Sequence, residues 1–410
     1  MKILFLSAQY PPETKGGGEL STHIIAQGLI ELGHTVHIVT SGHAEVEYHE
    51  NGVPVSQLKL GLKDKPLFER AQSIRAAKVL HQHIPDVHDY DIVHAHDFRS
   101  ALMLSELHMK NAVVTARDYA QISGCTNNIL RDGTVDPGCQ GTGELWNCHR
   151  VAEATVPRKF FRIWQYLYNR PYRRNAFRAI PNQIFISHAQ QALIQKYQDT
   201  SGQSTRVIYN PISQEYLNEP LKKGTAGNVL YVGRVEMYKG VRLLLQAWKI
   251  LAQKNLEAQL TIAGAGAQQK AYENLAATWG LQYRVNFIPH MPYHRLQNLI
   301  NESEILVAPH LWVEPFGRTV IEGMARGKVV VAANIGGPSE VIEHSKTGLL
   351  FERGSAQDLA HTLEHALKMN YFDKKEIGIA ARNYVRDNLN MEKIANEHET
   401  FYRDILSRTI

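Results

Sequence analysis

The chain has 410 residues, of which 44% are hydrophobic and 21% are charged, and its formal net charge is +5. These proportions are ordinary for a globular protein and exclude a low-complexity or largely disordered chain. The length exceeds what one hydrophobic core usually holds, so we expect two domains. No apolar run approaches the roughly 18 residues of a membrane-spanning helix, and the modest charge argues against a nucleic-acid-binding protein.

A glycine-rich turn separates the first predicted strand from the first predicted helix. The strand lies within residues 1–12, MKILFLSAQYPP, and the helix begins near Glu19. Gly16, Gly17 and Gly18 lie between them, so backbone N–H groups are available there to a phosphate or a sugar. A triple glycine before a helix is equally typical of a flexible loop, and alone this motif is weak.

Polar residues follow two further apolar strands of the first half. The strand in DIVHAHDF runs into His96 and Asp97, and the strand in NAVVTARDY runs into Arg117 and Asp118. Arginine stays charged near neutral pH, so Arg117 is suited to orienting an anionic group and not to carrying a proton. The triplet at 89–91, Asp-Tyr-Asp, looks like a metal-binding DxD motif, but it stands at the entrance of a strand. We therefore expect no catalytic metal.

Three cysteines fall in a polar, glycine-bearing insertion at about 120–150. Cys125, Cys139 and Cys148, with His149, make up a possible zinc set, but they lack the tight Cys-x-x-Cys turn that usually builds one. A disulfide between two of the cysteines is a second possibility. Free thiols in a reducing compartment are the third.

Residues 156–180 combine seven Lys or Arg with seven aromatic residues and contain no acid. Basic residues interleaved with aromatic ones suit a surface that lies against anionic lipid headgroups. A long helix that packs its aromatic residues into the core, while its arginines reach water, has the same composition. Of the two, we favour peripheral attachment to a membrane.

Six short apolar runs separated by helical patterns fill the second half. Strands that alternate with helices are typical of a doubly wound parallel sheet, so each half of the chain should form a Rossmann-like α/β domain. The runs are NVLYVG, QLTIAGAG, RVNFIPH, ILVAPHLW, VVVAAN and TGLLF.

Two of these runs end in residues suited to a nucleotide. Gly233 and Arg234 follow the first run, and Lys239 comes shortly afterwards. Two cations beyond the end of a strand can neutralise a diphosphate. The turn at Gly264 and Gly266 lacks the third glycine of a dinucleotide fingerprint, so we interpret it as a close-packed strand exit near the nucleotide.

The most informative stretch is EPFGRTVIEGM, residues 314–324, which lies between the fourth and fifth runs. It predicts a turn and a helix, with Pro315 in the first helical turn. Glu314 would lie at the carboxyl end of the strand, before the helix. Glu322 stands eight positions later, where it can accept hydrogen bonds from the vicinal hydroxyls of a ribose. The first backbone N–H groups of such a helix suit phosphates. They belong to Phe316, Gly317, Arg318 and Thr319.

With these motifs in this order, the chain resembles the retaining GT-B glycosyltransferases of family 4, or glycosyl transferases group 1, whose signature is a Glu, seven residues and a Glu. The resemblance extends over nearly the whole length. It implies two Rossmann-like, doubly wound domains that face a central cleft. The acceptor-binding domain would cover 1–210, the nucleotide-sugar-binding domain 211–385, and a helix at 386–410 would return to the first domain.

The resemblance also implies roles for the candidate residues. Arg234, Lys239 and Glu314 form the catalytic group, in which the two cations hold the donor pyrophosphate and Glu314 positions the sugar. The departing phosphate oxygen then takes the acceptor's proton, and neither a catalytic metal nor a cofactor is expected. On the acceptor side, many relatives carry a His where this chain has Arg117. The acceptor-side residues are His96, Asp97, Arg117 and Asp118. The donor-binding residues are Gly17, Gly18, Gly233, Gly264, Phe316, Gly317, Arg318, Thr319 and Glu322.

We expect a hexosyltransferase of cell-surface or exopolysaccharide biosynthesis, with UDP-glucose as the first choice of donor because it is frequent in the family. The acceptor would be a saccharide or a lipid-linked saccharide at the cytoplasmic face of a membrane. A nucleotide-sugar 2-epimerase shares the architecture but would not be expected to carry Arg234, Lys239, Glu314 and Glu322 in this order. A non-catalytic nucleotide-sugar-binding protein at the membrane would also keep the fold, and Arg117 favours that alternative.

Overall fold

A computed structural model shows that the chain forms two compact units. The first unit comprises the described residues of 1–211 together with 391–409, and the second comprises those of 212–390. Cys125, Cys139 and Cys148 lie outside the described residues. The structure describes residues 1–13, 16–63, 67–123, 155–254, 256–289 and 291–409.

An eight-stranded sheet forms the centre of the first unit. Its strands are β1 (Lys2–Ser7), β2 (Thr35–Ser41), β3 (Val46–Glu50), β4 (Val53–Leu58), β5 (Ile92–Ala95), β6 (Ala112–Ala116), β7 (Asn182–Phe185) and β8 (Ser204–Val207). They are arranged in the order β3-β4-β2-β1-β5-β6-β7-β8. Only the pair β3 and β4 is antiparallel within this sheet. Asn51 and Gly52 both have positive φ between these two strands, as a tight hairpin turn requires.

A six-stranded parallel sheet forms the centre of the second unit, and the six apolar runs of the sequence supply its strands as predicted. The strands are β9 (Asn228–Val232), β10 (Gln259–Ala263), β11 (Val285–Ile288), β12 (Ile305–Ala308), β13 (Val329–Ala333) and β14 (Leu349–Phe351). Their order is β11-β10-β9-β12-β13-β14, so the direction of winding reverses between β9 and β12. In doubly wound sheets, ligands bind beyond the carboxyl ends of the strands at this reversal point.

Helices connect most of the strands, and within the described part of the chain none is both long and apolar enough to cross a lipid bilayer. In chain order they are α1 (Gly17–Glu31), α2 (Glu69–His83), α3 (Phe98–Ser105), α4 (Val156–Ala179), α5 (His188–Tyr197), α6 (Gln214–Asn218), α7 (Val241–Ala252), α8 (Gln269–Thr278), α9 (Tyr293–Glu302), α10 (Arg318–Ala325), α11 (Pro338–Val341), α12 (Ala356–Lys368), α13 (Tyr371–Asn388) and α14 (Met391–Thr409).

The last helix, α14, packs against α1 in the first unit. Gly28 of α1 permits the close approach, because a Cβ atom there would lie 2.7 Å from the Cβ of Ala395. Phe401 and Tyr402 of α14 are buried in the same apolar cluster as Phe5 of β1. The carboxyl-terminal segment is therefore part of the core of the first unit.

Helix α10 begins at Arg318, later than the sequence predicts, and the expectation that Pro315 occupies its first turn is wrong. Gly317, the residue before the helix, has φ of 90° and thus a left-handed conformation. A residue in that conformation cannot continue a right-handed helix, so the segment from Glu314 to Gly317 is a turn. The helix carries Glu322 in its second turn.

Gly240 and Gly280 offer a matched test of close packing in the second unit, since their φ angles are 77° and 72°. A Cβ on Gly240 would overlap the carbonyl oxygen of Pro309, whereas a Cβ on Gly280 would meet nothing within 4 Å. Gly280→Ala should cost about 1 kcal/mol of unfolding free energy through backbone strain alone. Gly240→Ala should cost about 2 kcal/mol more, because the chain around Pro309 must move.

Denaturant unfolding of both variants measures this difference. Equal losses of stability would show that the turn after β9 is not packed against the loop after β12 as described.

Candidate functional site

The turn after β9 and the loop after β12 lie side by side in the second unit. The two strands are neighbours in the sheet, so the segments that follow them meet at the same edge. The backbone N–H of Leu311 donates to the carbonyl oxygen of Tyr238 at 2.9 Å. Gly240 lies against Pro309 with no room for a side chain. Two segments far apart in sequence are thus held in a fixed arrangement.

This arrangement brings Lys239 and Glu314 into direct contact. Lys239 Nζ lies 2.7 Å from Glu314 Oε2, and the two side chains are only 17% and 12% exposed. The sequence predicts both residues as catalytic from motifs 75 positions apart. The structure shows that they form one ion pair at the reversal point of the sheet.

Two residues that the sequence reasoning missed also contact this carboxylate. Trp312 donates from Nε1 to Glu314 Oε2 at 2.8 Å, and His310 Nε2 lies 3.3 Å from the same oxygen. Both precede Glu314 in the apolar run ILVAPHLW, where their side chains are typical of an ordinary core. Their position just after a strand that leads into the motif is the signal that could have identified them.

Burial and the neighbouring side chains have opposite effects on the pKa of Glu314. Burial by itself would raise the pKa of this carboxyl, but the positive charge of Lys239 and the hydrogen bonds from Lys239 and Trp312 hold the pKa below its ordinary value. Burial lowers the pKa of His310 to about 4, against the raising effect of Glu314. At neutral pH Glu314 is therefore ionised and His310 is neutral.

A glycine pair after β13 fixes the backbone of Glu314. Gly337 donates its N–H to the Glu314 carbonyl oxygen at 2.8 Å. Gly336 has φ of 73°, and a side chain there would overlap the backbone of Glu314. The backbone of Phe316 similarly leaves no space for a side chain on Gly337. Glu314 is thus held by its backbone as well as by its side chain.

Arg318 and Glu322 form a second ion pair, one helical turn apart on α10. Arg318 Nε lies 2.9 Å from Glu322 Oε1, and the side chains are 11% and 5% exposed. Thr319, half-buried, stands in the first turn of the helix, and the intrahelical bonds begin where Val320 donates to the carbonyl oxygen of Gly317. Of the predicted phosphate-binding N–H groups, those of Arg318 and Thr319 lie in the first turn of α10, that of Gly317 lies at the N-cap, and that of Phe316 lies in the turn before it.

Gly233, Arg234 and Gly264 mark the exits of two neighbouring strands. Gly264 has φ of 145° and packs directly on the carbonyl oxygen of Gly233. The N–H of Gly233 in turn donates to the carbonyl oxygen of Ala263 at 3.0 Å. The carbonyl oxygen of Arg234 accepts a hydrogen bond from the buried Tyr231 hydroxyl at 2.8 Å. The Arg234 side chain itself is exposed. The backbone here is fixed while the cation is accessible.

In the first unit, Arg117 joins several of the predicted acceptor-side and glycine-turn residues. Its guanidinium donates to Asn210 Oδ1 at 2.7 Å, to Thr22 Oγ1 at 3.2 Å and to the carbonyl oxygen of His96 at 3.1 Å. Arg117 Nη2 also lies 3.1 Å from His96 Nδ1. Gly18, next to Gly17 at the start of α1, lies against the Arg117 side chain, because a Cβ atom on Gly18 would stand 3.1 Å from Arg117 Cδ.

The predicted acceptor-side carboxylates bind backbone groups of the first unit. Asp97 is the N-cap of α3, where it accepts from the N–H of Arg99 at 2.9 Å, and it also accepts from the N–H of Ala8 at 2.6 Å. Asp118 accepts from the N–H of Ala120 at 2.8 Å. Both aspartates therefore shape the strand exits on which they lie.

The triplet considered as a metal motif lies at the amino end of β5. Asp91 Oδ2 accepts the backbone N–H of Lys2 at 2.6 Å, which ties the start of β5 to the start of β1. This carboxylate has a structural role at the edge of the sheet opposite to the strand exits.

Two family models match the chain. The model described as Glycosyltransferase Family 4 matches residues 15–216, and the model described as Glycosyl transferases group 1 matches residues 213–384. The chain is also 24% identical over 420 residues to an uncharacterized glycosyltransferase of Methanocaldococcus jannaschii, and the match covers 98% of each protein. Sequence similarity therefore extends over both units.

Solved structures show the same fold. Sucrose-phosphate synthase from Thermosynechococcus elongatus superposes with a TM-score of 0.75 at 18% identity, covering 100% of each chain. The Anabaena protein HepE in complex with UDP and glucose gives a TM-score of 0.69 at 19% identity, covering 98% of this chain and 99% of that one. The chain belongs to the family 4 glycosyltransferases with the GT-B fold.

Proposed function

We propose that this glycosyltransferase moves a hexose from a nucleoside diphosphate sugar to a saccharide or lipid-linked saccharide acceptor, with retention of the anomeric configuration. The observation that supports this proposal best is the contact between Lys239 and Glu314 at 2.7 Å. Lys239 is a cation suited to a diphosphate, and Glu314 is a carboxylate suited to sugar hydroxyls. They meet where the winding of the doubly wound sheet reverses, the usual place for a nucleotide in such sheets. A donor that spans both groups has its leaving group and its sugar beside each other.

The chemistry we assign needs charge stabilisation more than proton transfer by side chains. Arg234, Lys239 and the start of α10 would stabilise the departing diphosphate, which is the main electrostatic demand of the reaction. The departing phosphate oxygen would take the proton of the acceptor hydroxyl on the same face of the sugar. Glu314 would orient the sugar ring, and Glu322 the ribose. We propose no role for a metal or a cofactor.

UDP-glucose is the donor we propose first. The Anabaena protein HepE, which shares the fold over 98% of this chain, has been crystallised with UDP and glucose. Discrimination between hexoses depends on hydroxyl contacts of about 1 to 3 kcal/mol each. The choice of sugar is therefore a matter for direct measurement across several donors.

The amphipathic helix α4 supports a membrane-proximal location. One face is buried, with Ile163 and Phe177 in the core of the unit, while Phe160 and Trp164 on the other face are 62% and 48% exposed. Trp164 stacks on Tyr168 with a ring separation of 5.6 Å. Different aromatic residues of α4 thus face the core and the surface. We propose peripheral attachment to the cytoplasmic membrane face, where a lipid-linked acceptor would be found.

Donor turnover tests the proposed function. With radiolabelled UDP-glucose and a panel of other nucleotide sugars, the protein should release nucleoside diphosphate slowly in the absence of acceptor. Lys239→Ala should lower turnover by about 10² to 10³-fold, because it removes a charge that stabilises the leaving group. Glu322→Ala should weaken donor binding more than it slows turnover.

Lys374→Ala is the matched control for these variants, since Lys374 forms an equally buried ion pair with Glu304 elsewhere in the unit. It should leave donor affinity unchanged. Small, equal effects of Lys239→Ala and Glu322→Ala would mean that the site is misplaced. Release of a free epimerised sugar would indicate an epimerase, and donor binding without any turnover would indicate a non-catalytic protein.

Vesicle binding tests the membrane proposal. The protein should sediment with vesicles rich in phosphatidylglycerol and less with pure phosphatidylcholine, and high salt should weaken the binding because it screens the basic residues of α4. Replacing Phe160 and Trp164 together by Ser should reduce binding at least tenfold through lost apolar burial. Phe372→Ser, at a residue 79% exposed in the second unit, is the control. Equal binding by both variants would contradict the proposal.

A further inference from the structure

Lys239 and Glu314 have different ligands in the proposed reaction, yet in the structure each is the other's partner. Lys239 Nζ donates to Glu314 Oε2 at 2.7 Å. A diphosphate that binds Lys239 would therefore meet an ammonium group that already donates to Glu314. Because Glu314 is ionised and largely buried, the loss of its cationic partner has an energetic consequence.

Of the two partners, Lys239 is the one that can move. The backbone of Glu314 is held by Gly337, and its side chain accepts from Trp312 Nε1 at 2.8 Å. Lys239 stands on a short 3-10 turn at Met237–Lys239, and its ammonium group lies over the rings of Trp312 and Tyr238 at 5.1 and 5.7 Å. A lysine has a flexible four-carbon stem, so its charge can turn toward a phosphate while the carboxylate stays in place.

The three nitrogen atoms that the described residues bring to this carboxylate all reach the same oxygen. Lys239 Nζ, Trp312 Nε1 and His310 Nε2 lie 2.7, 2.8 and 3.3 Å from Glu314 Oε2. When Lys239 turns away, Glu314 keeps the neutral Trp312 donor and the nearby His310 ring, and it loses its only positive partner in this set. A sugar hydroxyl that donates to the carboxylate would restore part of the loss, since hydrogen bonds to an ionised group are strong.

We propose that the Lys239–Glu314 ion pair couples recognition of the diphosphate to recognition of the sugar, so that the protein favours the donor over the nucleoside diphosphate product. A nucleoside diphosphate binds Lys239 and leaves the charge of Glu314 without its cationic partner. A nucleotide sugar also binds Lys239, but its sugar hydroxyl donates a hydrogen bond to Glu314. This inference rests on the proposed function, because it assumes that Lys239 binds the diphosphate and Glu314 the sugar.

Glu314→Gln tests the coupling, because the amide keeps the shape of the side chain and removes its charge. The dissociation constants of UDP and UDP-glucose are measured by calorimetry, with GDP and GDP-mannose as the pair if the wild-type protein prefers them. The variant should bind UDP about threefold to tenfold more tightly than the wild type, since Lys239 no longer leaves an ionised partner. It should bind UDP-glucose no more tightly, so the preference for the donor falls.

Two further variants separate competition from simple repulsion between Glu314 and the diphosphate. In a Lys239→Met background, Glu314→Gln should not tighten UDP binding, because there is no shared cation left to release. A persistent gain in that background would overturn the coupling. Glu304→Gln is the matched control: it removes the charge of a carboxylate that lies 2.8 Å from Lys374, with side chains 18% and 11% exposed, and should leave both affinities unchanged.

The outcome also separates this inference from the proposed function. If the wild type binds and turns over donors while Glu314→Gln leaves the ratio of UDP to UDP-glucose affinity unchanged, only the coupling is wrong. If the wild type binds none of the four nucleotides at saturating concentration, the proposed function is wrong and the coupling with it.

Discussion

An ionised carboxylate that is nearly buried needs donors, and this requirement at Glu314 explains much of the second unit. Lys239, from the turn after β9, compensates the charge, while Trp312 and His310, from the loop after β12, contact the carboxylate. Such a cluster forms only if the two segments are held together, because removing one partner of a buried pair is costly. The packing of Gly240 on Pro309 and of Gly336 on Glu314 provides that constraint.

The sheet topology explains why these segments meet. Strands β9 and β12 are hydrogen-bonded neighbours although the chain between them forms β10 and β11. Their carboxyl ends therefore lie at the point where the winding direction reverses, which is where ligands bind in doubly wound sheets. A fold of this kind brings together residues that are distant in sequence. The start of α10 follows the ion pair closely in the chain, since Glu314 lies in the turn that leads into this helix and Arg318 is its first residue.

The strands and the motif residues could be predicted from the sequence, but the contacts among them could not. The apolar runs and the spacing of Glu314 and Glu322 are local patterns, which can be recognised in the sequence alone. His310 and Trp312 carry no such pattern, because an aromatic or imidazole side chain after an apolar strand is usual in a core. The sequence misplaces the start of α10 because Pro315 favours a first helical turn, whereas Gly317 adopts a left-handed conformation that ends the turn just before the helix.

Arg117 shows how a departure from the family pattern can be compatible with catalysis. The guanidinium binds Thr22, His96 and Asn210, so its role in the first unit is to fix three segments and not to carry a proton. Burial, followed by the charges of His94 and Arg117, lowers the pKa of His96 well below its ordinary value, so this imidazole is neutral as well. In the proposed reaction, however, the departing phosphate oxygen accepts the proton. In that reaction, a site without a titrating side chain at this strand exit is sufficient.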